Sequence, residues 1–303
     1  MPRVPKTLAH GLAFDEHVRV TAVEEIEPVP FIDGIVYGEG PRWHNDRLWF
    51  SDGPAGRVCS VGETGDVAVE AEVEHASGLG WLPDGTLVVS ALLEPKIHHV
   101  DAQGQVAATY DLSDLAWSTN DLCVAPDGRG YVDLYGGQAS ATGMEGAIGL
   151  VDPVGGVRIV ATDLAVPNSL AFLPDGSTLV VSETNGSRIL AFPTEADGSL
   201  GAPSVFADLG EHRHPDGLCV DVEGGVWVGC YDTGEFLRVV AGGTVTHRVA
   251  IDRGWAIAPA LGGLDGRTLY MVVDETTSEG LVKGESTGWI MRARVEVPGA
   301  GSP

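Results

Sequence analysis

The chain spells one phrase six times. An apolar pentad runs into a turn, often Pro-Asp-Gly, and then into a second apolar strand. The copies read GPRWHNDRLWFSD, GLGWLPDGTLVVS, DLCVAPDGRGYVD, SLAFLPDGSTLVVS, GLCVDVEGGVWVG and APALGGLDGRTLYMV. A repeat constrains the fold strongly, because each unit must stack on its neighbours to bury its apolar faces. The first core residues of the second strands are Leu48, Leu87, Tyr131, Leu179, Val226 and Leu269, spaced by 39, 44, 48, 47 and 43 residues. Four strands of about six residues with short turns come to ~40 residues, the length of one propeller blade.

The rest of each period fits a blade. After TLVVSET come SRILAFPT and PSVFADL, and after VWVGCYD come EFLRVV and TVTHRVAI. The expected fold is therefore all-β: a six-bladed β-propeller with four antiparallel strands per blade and very little helix, as one domain over residues 1–303. The sixth repeat runs out of chain one strand early, which would leave an open sheet edge. A strand at 17–27 (HVRVTAVEEI and the next residue) is expected to complete the last blade and close the ring. Residues 1–16 then form an N-terminal extension and 298–303 a tail. Segments 135–147 and 275–288 exceed ordinary turn length. They either border a ligand entrance or are plain solvated insertions.

Composition narrows the partners. Lysines and arginines number 18 against 43 acids, a net charge of −25. That argues against a nucleic-acid or anionic-lipid binder, both of which need a cationic footprint. It suits solubility, and equally the attraction of cations. Cys59, Cys123, Cys219 and Cys230 form no CxxC pair, and the default for such residues in apolar strands is a buried free thiol. No apolar run is long enough for a signal peptide or a membrane span. The expectation is a cytoplasmic monomer or dimer.

One slot of the phrase carries chemistry. Six residues before the Pro of the turn, or its equivalent, stand Glu39, Ser77, Asn120, Asn168, Asp216 and Ala258. Inner strands line the central channel of a propeller, so these side chains converge at one depth. Four of them are carboxylates or amides, with no cation in the slot to balance them. Taken singly, each reads as a turn residue capping a strand. Four in one register point to a hard divalent cation bound through oxygen. Calcium is the first choice, with magnesium, manganese and zinc as alternatives.

The motifs EGPRW (39–43), ND (120–121), PNSLAF (167–172) and PDGLCVDVEGGVWVGCYDTG (215–234) resemble the senescence marker protein/regucalcin/gluconolactonase family, from about Tyr37 to about Val273. The resemblance implies a propeller that binds one catalytic divalent metal and hydrolyses lactones. It implies Glu39, Asn168 and Asp216 as direct ligands, and Asn120 beside the metal or its waters. Ser77 and Ala258 would then mark the side where substrate enters.

The implied chemistry is attack of an activated water on a lactone carbonyl. Asp216 is the expected general base, although its carboxylate could serve only as a ligand or could attack directly. His214, two residues upstream, is the second candidate for proton transfer. Tyr37, His75, Trp117, Ser118, Asn120 and Trp255 are candidate substrate contacts near the channel mouth, with His212 close by. Sugar-lactonase members of the family carry an arginine where this chain has Ser118. The expected substrate is thus a lactone or other ester less polar than a simple sugar lactone. Other readings are a non-catalytic metal-binding propeller that docks a partner, a phosphotriester hydrolase, and a condensing enzyme on the same scaffold.

Overall fold

The computed structural model describes residues 22–136, 145–153 and 156–301. It shows six four-stranded antiparallel blades around a channel, each strand order running from the inner strand outwards. The inner strands are Gly38–His44, Ala76–Trp81, Ser118–Val124, Pro167–Phe172, Pro215–Val220 and Trp255–Gly262. They belong to the six repeats in order. The two long segments do not share a structure. Residues 275–288 carry a short helix, Ser278–Lys283, whereas 137–144 lie outside the described residues. No helix among the described residues is long and apolar enough to cross a membrane.

An N-terminal strand closes the ring, and it lies further along than 17–27. Val29–Ile35 pairs antiparallel with Thr287–Arg294 and becomes the outer strand of blade six. Residues 17–21 fall outside the described part. Glu24 and Glu25 pair in parallel with His247 and Arg248 on the outer edge of blade five. The incoming chain therefore covers one blade edge before completing the next, which leaves less open edge for association.

Packing follows the repeat. Among the described residues the buried apolar side chains fall into six clusters, one between each pair of neighbouring blades. Blade one meets blade six through Leu48, Phe50 and Val61 against Ile257, Tyr270 and Val272. Alternate residues of each second strand point into one cluster or the next, because successive strand side chains face opposite sides of the sheet.

The feature that builds the site is an irregularity shared by all six blades. Pairing between the inner and second strands breaks register at or beside the slot residue in each case. A bulge of this kind re-aims a side chain and frees backbone groups that must find other partners. The second strands supply several of them. Ser90 Oγ accepts the Gly78 N–H at 2.9 Å, Ser182 Oγ accepts the Ser169 N–H at 2.9 Å, and Asp133 accepts the N–H groups of Asn120 and Asp121 at 2.6 and 3.0 Å. Hydroxyls also reach across blade boundaries. Ser51 Oγ donates to the Ser77 carbonyl at 2.7 Å, and Ser90 Oγ to that of Asn120. From blade six, Asp274 accepts the Gly38 N–H at 3.1 Å.

Candidate active site

The bulges bring the slot side chains into one hydrogen-bonded arc. Ser77 Oγ donates to Asn120 Oδ1 at 2.6 Å. Asn120 Nδ2 donates to Asn168 Oδ1 at 3.0 Å. The Asn168 amide in turn hydrogen-bonds the Asp216 carboxylate. Glu39 completes the ring from blade one, close enough to Asp216 for the two carboxylates to repel. Glu39, Asn120 and Asp216 are buried and Asn168 is half-buried. Ser77 and Ala258 do not form an open side. Ser77 is buried and committed to Asn120, and buried Ala258 is packed so tightly on Gly217 that a Cβ there would lie 2.3 Å from its own.

The electrostatics are unbalanced. Burial, then the charges of Asp216, Asp121 and Asp274, push the Glu39 carboxyl well above the usual range. Burial pushes Asp216 up to about 7, opposed by the Asn168 hydrogen bond and assisted by Asp121. Neither carboxylate belongs to an ion pair among the described residues, and the buried Asp216 Oδ1 has no hydrogen-bond partner. Two unpaired buried carboxylates with an orphaned oxygen are costly unless a cation joins them.

The donor set fits a hard divalent ion. It consists of the Glu39 and Asp216 carboxylates and the Asn168 amide oxygen, the oxygen donors that calcium, magnesium and manganese take. Asn120 has its oxygen bonded to Ser77 and its amide nitrogen to Asn168. This geometry makes it an orienting neighbour of the other donors.

The remaining candidates divide into groups. Tyr37 is buried beside the carboxylates; burial first, then Glu39 and Asp216, raise its phenol well above its ordinary value, so it keeps its proton. His214 and Trp255 join a second cluster through Tyr231, whose ring lies 5.9 Å from the imidazole and 5.4 Å from the indole. Asp232 grips His214, accepting its backbone N–H at 3.0 Å and meeting Nδ1 at 2.6 Å. Trp117 is 67% exposed and lies over Gly136, where any Cβ would strike its ring. The Ser118 hydroxyl is turned to backbone, donating to the Leu92 and Thr119 carbonyls. His75 lines a groove with Arg57, Glu72 and Glu74, and His212 is exposed. No side-chain hydrogen bond among the described residues links His75, Trp117 or Ser118 to the slot.

Sequence reasoning passed over four nearby residues. Tyr135 donates its hydroxyl to the Pro167 carbonyl at 2.5 Å and receives a hydrogen bond from the Asn120 amide. Asp133 faces Asn120 where blades two and four carry serine. Asp232 and Tyr231 adjoin each other in the motif GCYDTG. The available signal for Asp133 was its position, since it breaks a serine pattern at equivalent places in the repeats.

The model of a family described as the SMP-30/gluconolactonase/LRE-like region matches residues 37–275. A 6-deoxy-6-sulfogluconolactonase of Pseudomonas putida is 28% identical over 278 residues, covering 88% of this chain and 94% of the relative. A pentonolactonase of Haloferax volcanii is also 28% identical over 278 residues, covering 88% and 92%. The crystal structure of a calcium-binding regucalcin from Agrobacterium tumefaciens superposes with a TM-score of 0.78 at 23% identity, covering 94% of this chain and 99% of that one. At that identity the likeness is one of fold.

Proposed function

The chain belongs to the SMP-30/gluconolactonase/LRE-like family, and on that premise we propose that it is a divalent-metal-dependent enzyme that hydrolyses a lactone. The observation that carries the metal reading is the buried, unpartnered Asp216 Oδ1 beside a second unpaired carboxylate, Glu39. The lactone reading is supported by the activities named for the two relatives.

In this reading Glu39, Asn168 and Asp216 hold the ion, and Asn120 orients Asn168. When bound, the ion supplies Lewis-acid polarisation of the lactone carbonyl and charge stabilisation as the carbonyl oxygen becomes anionic. Asp216, kept ionised by the cation it holds, takes a proton from the attacking water. The water oxygen bonds to the carbonyl carbon, the bond from that carbon to the ring oxygen breaks, and the ring oxygen takes up a proton. The product is the open hydroxy acid. His214, anchored through Nδ1 by Asp232, is the second group able to pass a proton, through Nε2. Tyr37 stays neutral and offers a hydrogen bond near the reacting atoms.

The mouth favours a less polar substrate than a sugar lactone. Trp117 is exposed, Tyr231 and Trp255 form an aromatic wall, and the Ser118 hydroxyl is occupied by backbone. Free thiols at all four cysteines fit a reducing, cytoplasmic setting.

The test is to strip divalent ions with a chelator, restore calcium, magnesium, manganese or zinc singly, and assay γ- and δ-lactones, aryl esters and a phosphotriester. Lactone hydrolysis that survives both chelation and Asp216→Asn would sink the mechanism. Cleavage of only the phosphotriester would replace the lactone reading with that of a phosphotriesterase.

A further inference from the structure

We propose that the buried Arg42–Asp121 pair positions the candidate metal centre, and that the guanidinium fork, beyond its charge, sets the affinity for the ion. The inference rests on the metal reading given above and concerns residues that neither bind the ion nor touch substrate in it.

Arg42 follows Glu39 by three residues, Asp121 adjoins Asn120, and Ser169 adjoins Asn168. One residue from each of three blades therefore forms a second polar layer, tied in sequence to the slot. Arg42 Nη2 donates to Asp121 Oδ1 at 2.8 Å, to Oδ2 at 3.0 Å and to the Leu122 carbonyl at 3.0 Å. Nη1 donates to the Pro41 carbonyl at 3.0 Å. Ser169 Oγ donates to Asp121 Oδ2 at 2.5 Å and accepts the Leu218 N–H at 3.2 Å. The Asp121 carboxylate thus joins blades one, three and four, and the Ser169 hydroxyl extends the link to blade five. Blade two approaches as closely as backbone allows, because a Cβ on Gly78 would lie 2.6 Å from Asp121 Oδ1.

Further along the same inner strands is a cavity of about 50 Å³ lined by Arg42, Cys123, Cys219, Leu261 and Gly299. Arg42 and Asp121 are both buried, so neither serves solvent. Every atom the fork holds is next to a bulge that aims a slot side chain. Moving Asp121 moves Asn120, and through it Asn168. A lysine ammonium could meet the three acceptors of Nη2, but from a single centre it could not also hold the Pro41 carbonyl, which the guanidinium reaches through its second nitrogen, Nη1. Groups that orient metal ligands from behind typically change affinity by about 10–100-fold when lost.

The bland alternative is a buried ion pair that only supports the fold. Such pairs are often replaceable without loss of stability when both charges go together, and this gives the test. Calcium and manganese binding by wild type, Arg42→Lys, Arg42→Met, Ser169→Ala and the double variant Arg42→Met/Asp121→Asn would be measured by calorimetry, alongside melting temperature. The double variant should recover most of the melting temperature lost in Arg42→Met, yet bind the ion at least tenfold more weakly than wild type. Arg42→Lys should fold and remain weakened, and Ser169→Ala should be weakened less. If Arg42→Met does not fold, the lysine and serine variants decide. Wild-type ion affinity in Arg42→Lys or in the double variant overturns the inference while leaving the metal reading intact. A wild-type protein that binds neither ion overturns both.

Discussion

Ser182 and Asp216 are joined across a blade boundary: the hydroxyl of Ser182 in blade four donates to the backbone carbonyl of Asp216 in blade five at 2.7 Å. The same hydroxyl accepts the Ser169 N–H at 2.9 Å. One fully buried side chain therefore satisfies two backbone groups freed by two neighbouring bulges and fixes the candidate base relative to Asn168. Ser182→Ala leaves both groups without this partner, and each buried unsatisfied group costs about 1–3 kcal/mol. We expect a lower melting temperature and weaker divalent-ion binding. A variant with unchanged melting temperature and ion affinity would show that the bridge is dispensable.

The raised carboxyls give a pH signature with a definite sign. The folded-state value for Asp216 is about 7, above its ordinary value of 3.8, and that of Glu39 is also raised. Between the unfolded and folded values the native state binds more protons, so the metal-free protein gains stability from these groups at low pH and loses it as pH rises towards 7. The ion competes with the same protons, so its affinity rises over that window. Asp216→Asn should flatten the metal-free slope, stabilise the metal-free protein above pH 7, and abolish stabilisation by added ion. Thermal scans from pH 5 to 8, with and without chelator, test this. Identical slopes in wild type and Asp216→Asn would refute it.

Gly217 has no room for a side chain. A Cβ there would lie 2.3 Å from the Ala258 Cβ and 2.7 Å from its Cα, in the neighbouring inner strand. Gly217→Ala must push blades five and six apart next to Asp216. Overpacking of this kind costs about 1–3 kcal/mol, and here it also displaces a candidate ligand. We expect a lower melting temperature together with a fall in kcat. The paired change Gly217→Ala/Ala258→Gly removes the contact at 2.3 Å but leaves the one to the Cα at 2.7 Å, so it should restore only a small part of both. A wild-type melting temperature in Gly217→Ala alone would show that the strands absorb the side chain.

The proposed role of Trp117 and Trp255 in substrate contact predicts a split between binding and turnover. Trp117 and Trp255 touch none of the slot side chains through hydrogen bonds, and Trp117 is largely exposed. Trp117→Ala and Trp255→Ala should raise KM for alkyl- or aryl-substituted lactones by about tenfold, the size of a lost apolar contact of 1–3 kcal/mol. They should leave kcat and the KM of an unsubstituted lactone near wild type. Equal losses on both substrates would remove the wall from any role in specificity.

The slot was visible before the fold because the repeat itself locates it. Glu39, Asn120, Asn168 and Asp216 occupy one register in a phrase that recurs, and the structure brings these four together. The flanking candidates were chosen only by closeness in sequence, and they scattered. Tyr37 lies beside the carboxylates, His214 and Trp255 meet through Tyr231, His75 lines a separate groove, and the Ser118 hydroxyl is bonded to backbone. Residues in turns a few positions from a slot can point anywhere, because no strand alternation fixes their direction.

The closing strand shows the same limit from another side. HVRVTAVEEI alternates like a strand, while VPFIDGI contains a proline and a glycine that weaken the pattern. The ring is nevertheless completed by Val29–Ile35. Local propensity is a weak guide here, since the last blade needs a partner at the correct reach from the inner strand of blade one.

The chain by itself determined the blade count, the order of strands and the level at which four oxygen donors gather. Those properties follow from alternation and repetition, which are local and periodic. Only the tertiary structure decided which oxygens would go unpartnered and which would be tied down. Asp216 Oδ1 is orphaned by burial, and Arg42 reaches Asp121 across 79 residues of sequence. Such contacts join different blades around a closed ring. Their partners are set by the bulges and by which backbones approach without a side chain between them, and no periodic pattern along the chain records that.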